Sequence, residues 1–66
     1  MRFEEFRDRI RGYLLRHPAG STWPELKAQL GLPQRTPCYT WVYRLEEEIG
    51  LHRRPGPLGM VWYLVR

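Results

Sequence analysis

The chain has 66 residues, a formal net charge of +4 and 42% apolar residues, with one cysteine. That is room for a single domain, which buries only roughly 60% of the surface its unfolded form exposes, and one cysteine leaves no internal disulfide to reinforce it. The longest apolar run, Met60 to Val65, is too short to cross a bilayer, and the N-terminus opens on charged residues in place of an apolar leader, so a cytoplasmic protein held by packing alone is expected.

The charge is unevenly placed. Residues 1–20 carry five Arg against three acidic residues, residues 21–50 carry three bases against four acids, and residues 51–66 carry three Arg and no acid. Ten of the eleven cations are Arg. That ratio suits forked phosphate contacts, and it follows equally from coding bias or thermal adaptation.

In chain order, "RFEEFRDRIRGYLLRH" sets Phe3, Phe6, Ile10, Tyr13, Leu14 and His17 three and four residues apart, which predicts an amphipathic helix over about 2–17. Pro18 ends it. "STWPELKAQLGLP" predicts a short helix over about 23–30: Thr22 and Glu25 have capping-box spacing, Pro24 lies in the first turn, and Gly31 supplies a left-handed C-cap with Leu32 as its apolar companion. "TPCYTWVYRLEEEIG" predicts a third helix over about 37–49, with Thr36 as N-cap and Gly50 as terminator. Its inner arc is Cys38, Val42, Leu45 and Ile49, with Trp41 beside it; Thr40, Tyr43, Arg44 and Glu47 point away. The period then changes to two. Leu51–Arg54 and Met60–Val65 predict a β-hairpin over about 51–65, with Pro55–Gly59 as a loop longer than a two-residue turn.

The order helix, short helix, longer helix, hairpin with a basic loop predicts an α+β fold. With the stretch "TWPELKAQLGLPQRTPCYTWVYRLEEEIGLHRRPGPLGMVWYL", it resembles the winged helix-turn-helix domains found in many small bacterial and archaeal regulators. The likeness covers essentially the whole chain. It departs from the pattern in two places: six residues, Gly31–Thr36, precede Pro37, and Gly50-Leu51 falls one residue late. The resemblance implies double-stranded DNA as partner, a role in transcription regulation, a recognition helix in the major groove and a wing over backbone or minor groove. By position it nominates Gln34, Arg35, Thr36, Tyr39, Thr40, Tyr43 and Arg44 for the helix, and His52, Arg53 and Arg54 for the wing. Their chemistry fits: Arg forks onto guanine or phosphate, Gln onto adenine, and hydroxyls hold phosphate oxygens. One such module has limited contact area, so specific regulation calls for a homodimer, a partner chain or adjacent sites.

Other readings compete for several residues. Glu46-Glu47-Glu48 fan out around a helix and read as a solvated face or an acidic docking patch, not as a catalytic pair. Cys38 reads as a core cysteine, and His17 and His52 have no neighbours at ligand spacing, so neither metal nor cofactor is expected. No nucleophile, base and orienting group can be assembled, so an enzyme is not expected. Trp41 and Trp62 read as core. The competing function is a protein-interaction winged helix docking through Trp23, Tyr39, Tyr43 and the Glu run, with RNA binding as a third reading.

Overall fold

The computed structural model describes residues 1–65 and has the expected α+β layout, three helices followed by an antiparallel hairpin. Helix α1 spans Phe3–Arg16, strand β1 Ser21–Thr22, α2 Trp23–Leu30, α3 Tyr39–Glu48, β2 Leu51–Gly56 and β3 Gly59–Leu64. This is a winged-helix-like arrangement. The sheet has the order β1-β3-β2, with β3 antiparallel to both neighbours.

The apolar stripe of α1 forms one side of the core. Phe3, Phe6, Ile10 and Leu14 are all buried. They meet Leu26 of α2, Val42 and Leu45 of α3, Leu32, Leu51 and Trp62. An aromatic chain runs through this core: Phe6 lies 5.0 Å from Trp41 and 6.2 Å from Trp23, and Trp23 lies 5.4 Å from Trp62. His17 falls outside the stripe. It is the exposed C-cap of α1, stacked 4.0 Å from Tyr13, with its ring Nδ1–H donating to the Tyr13 carbonyl.

The end of α2 forms as the sequence predicts, with Gly31 at φ 61° and the Leu32 N–H reaching back to the Lys27 carbonyl. Its start differs. Thr22 occupies the N-cap, but its hydroxyl caps nothing; the Glu25 carboxylate instead accepts from Ser21 Oγ at 3.1 Å. An N-cap is extended, and here that extended backbone pairs Ser21 with Trp62 and Thr22 with Val61. The result is β1, a strand the sequence pattern does not reveal.

Helix α3 begins two residues later than predicted. Its N-cap is Cys38, not Thr36, and eight residues, Gly31–Cys38, separate it from α2. Cys38 is therefore exposed instead of buried on the inner arc. Cys38 itself keeps an extended backbone, at φ −77° and ψ 119°, so the helix opens after it and Pro37 is left before the helix instead of opening it. At the other end Ile49 caps α3 and Gly50 turns the chain at φ 71°.

The hairpin loop is shorter than predicted. Residues paired in register run from Leu51↔Leu64 to Gly56↔Gly59, leaving only Pro57 and Leu58 in the turn. Pro55 stays in the ladder because β2 is an edge strand, where proline's missing N–H is tolerated. Of β3, only Trp62 is fully buried; Val61, Tyr63 and Leu64 are half-buried, and Val65, just past the strand, is exposed.

Candidate nucleic-acid interface

The register of β2 separates the predicted wing residues. Neighbours along a strand point to opposite faces, and cross-strand partners share one. Arg53 pairs with buried Trp62 and so faces the helices; His52 and Arg54 pair with Tyr63 and Val61 on the outer face. There His52 stacks on Tyr63 with centroids 5.5 Å apart. Arg54 lies 5.6 Å over the same ring, and its Nη2 donates to the Ala19 carbonyl at 3.4 Å. The two arginines thus flank the hairpin instead of forming one basic stripe.

Arg53 points into a groove between the hairpin and the start of α3. Pro37, Tyr39, Met60, Trp62 and Trp23 help line it, and its volume is about 220 Å³. The Arg53 Nε is buried and has no hydrogen-bond partner among the described residues. A guanidinium N–H removed from water without an acceptor is costly, and an anionic oxygen entering the groove would supply one.

The predicted helix residues divide in a similar way. Tyr39 and Tyr43 are 69% and 59% exposed and stand one turn apart on α3, their rings 6.5 Å from one another. Thr40, Thr36 and Arg35 are exposed as well. The N-cap Cys38 makes no side-chain cap bond, so the first-turn N–H groups of α3 are open to an anion. Trp23 Nε1 donates to the Arg35 carbonyl at 3.1 Å and so pins the loop that presents Arg35. Gln34 is half-buried, and its Oε1 has no hydrogen-bond partner among the described residues.

Arg44 lies apart from this group. Its Nη2 is 3.1 Å from Glu48 Oε2 and its Cζ sits 3.8 Å over the Phe3 ring. Glu48 also accepts from Arg7 Nη1 at 2.8 Å, and hydrogen bonding to Arg7, ahead of Arg44, holds its carboxyl below the usual range despite partial desolvation. Arg7 is correspondingly raised, chiefly by its hydrogen bond with Glu48. One member of the acidic run therefore joins α3 to α1.

The groove brings Tyr39 and Arg53 together beside Pro37 and Met60, and the exposed loop and helix start carry Arg35, Thr36, Thr40 and Tyr43. Arg44, His52 and Arg54 face elsewhere. Sequence reasoning missed the groove itself and the loop-pinning role of Trp23. Among the described residues, no cluster of His, Cys, Asp and Glu could hold a metal ion, and no helix is long and apolar enough to cross a membrane. No protein-family model matches the chain, and neither a curated protein nor a solved structure does.

Proposed function

We propose that this chain is a double-stranded DNA-binding module of the cytoplasm, with transcription regulation as its role. It binds non-covalently, without cofactor or catalysis, through the start of α3, the preceding loop and the hairpin. The observation that carries this reading is the unpartnered Arg53 Nε at a groove bordered by Tyr39. The segment Pro33–Arg44 adds no acid to repel phosphate. Arg35 and Arg53 neutralise phosphates and release counterions, while Tyr39, Thr40 and Tyr43 meet sugar or base edges. A second copy or a partner chain would extend the contact to the size of a specific site.

The test is fluorescence anisotropy of labelled random duplex, titrated at several salt concentrations. Binding that weakens steeply with salt, at a slope of about 0.9 per phosphate contacted, supports the reading. No binding at low salt would overturn it. The exposed Tyr39, Tyr43 and Met60 would then be assigned to a polypeptide partner.

A further inference from the structure

The tip of the hairpin has a composition that the fold does not require. Leu58 is 81% exposed, the most exposed large apolar side chain in the described residues, and Met60 beside it is 44% exposed. A leucine held in water contributes nothing to the core. It is also held firmly. Pro57 fixes one of the two turn residues, Leu58 itself has negative φ, and Gly59 at φ 117° restores the strand direction after the turn. On the other strand, Gly56 lies so close to Val61 that a Cβ there would come within 2.8 Å of its Cγ2.

Below this apolar tip the charge is arranged in a specific way. Arg53 and Arg54 project to opposite faces of the ribbon, and no acidic residue lies between Leu51 and Val65. A ribbon entering a groove of duplex DNA tip first has one phosphodiester strand on each side. It would offer each strand one guanidinium and offer the base stack a leucine.

We propose that the hairpin is a minor-groove wedge in which Leu58 inserts between adjacent base pairs of duplex DNA while Arg53 and Arg54 hold the two flanking backbones. This rests on the DNA-binding reading above and adds to it a mechanical consequence. An inserted apolar side chain unstacks a step, kinks the duplex toward the major groove and unwinds it locally. Flexible pyrimidine–purine steps, which deform most readily, are the favoured sites.

Unwinding can be read without knowing the preferred sequence. A closed-circular plasmid is relaxed by topoisomerase in the presence of the protein and then stripped, so that bound wedges appear as a change in linking number. Affinity is followed in parallel by anisotropy on a duplex of about 20 base pairs. The wild-type chain is expected to bind and to shift the topoisomers. Leu58→Ser is expected to lose a few-fold in affinity and to abolish the shift, whereas Leu58→Met retains both. Unchanged tryptophan emission shows that each variant is folded, because Trp62 is buried in the same strand pair. If wild type and Leu58→Ser both bind and shift the topoisomers equally, or bind without shifting them, the wedge is overturned and DNA binding stands. If none of the three binds, the DNA reading fails and the wedge fails with it.

Discussion

On α1, Arg7 and Arg9 are answered close by: Arg7 meets Asp8 and Glu48, and Arg9 meets Glu5 and the Leu30 carbonyl. In β2, Arg53 and Arg54 meet no carboxylate among the described residues, and one of them turns a buried Nε toward a groove. The two regions are anchored differently as well. Four buried side chains hold α1 to the core, whereas Leu51 and Trp62 are the buried apolar residues of the hairpin. Net charge is therefore a poor guide to this molecule. A cation near its own carboxylate stabilises the fold modestly, and a cation held apart from any carboxylate is free to meet an anion from outside.

The largest effect that would test this contrast is on anchoring. Trp62→Ala removes the ring that joins the sheet to Trp23 and faces Arg53, and is expected to cost about 3–5 kcal/mol. For so small a domain that is most of its stability. Urea unfolding should show a chain largely unfolded in water, while Ile10→Val in α1 should lose about 1 kcal/mol and remain cooperative. Equal losses would mean that the hairpin is not held by one side chain.

Gly20 lies where the end of α1 passes to the sheet. A Cβ there would come within 2.7 Å of both the Trp62 carbonyl oxygen and Val61 Cγ1, at φ +90°. The carbonyl is backbone and cannot swing aside, so Gly20→Ala should destabilise by about 2 kcal/mol. Thermal melting would measure it. A neutral outcome would show that β1 does not lock the hairpin to the first helix.

How far the sequence reveals this architecture depends on how many residues carry each signal. The core stripe of α1 and the alternation of β3 are each written over several positions, and each is present. Features decided by one or two residues were not legible. Thr22 shows the extended backbone of an N-cap whether or not it also pairs with a strand, so β1 was hidden behind a capping signal. Thr36-Pro37 has the grammar of a helix start, yet the backbone is still extended at Cys38 and the helix opens only at Tyr39. The candidate site suffered in the same way. Arg53 and Arg54 are adjacent in sequence and look like one basic patch, and only the pairing register shows that they face apart. Arg44 looked available because Phe3, the ring that its guanidinium covers, comes from another helix, although Glu48 stands four residues further along α3.

If the paired and unpaired arginines differ in function, their removal should differ in the salt dependence of DNA binding. Arg53→Ala with Arg54→Ala is expected to lower the slope of log affinity against log salt by about 1.8, two phosphates at about 0.9 each. Arg7→Ala with Arg9→Ala should leave it unchanged. The two single hairpin variants should contribute similar shares, because each arginine serves its own face. A drop confined to Arg53→Ala would assign phosphate contact to the groove alone.

The smallest effect concerns Glu48, the residue that ties Arg7 and Arg44 down. Its carboxyl is held below the ordinary value of 4.5, first by the hydrogen bond from Arg7 and then by Arg44, so the folded state favours the charged form. The stability this contributes is present at pH values above the unfolded value and is lost as pH falls through the lower folded value. Wild type should therefore melt slightly higher than Glu48→Gln at neutral pH, and the gap should close on acidification below 4.5. The same variant probes the interface. Glu48→Gln weakens the hold on Arg44 but leaves its guanidinium over Phe3, so the DNA salt slope should not change. A slope steeper by about one would mean that Glu48 had been screening a cation within reach of phosphate, and Arg44 would belong with Arg53 after all.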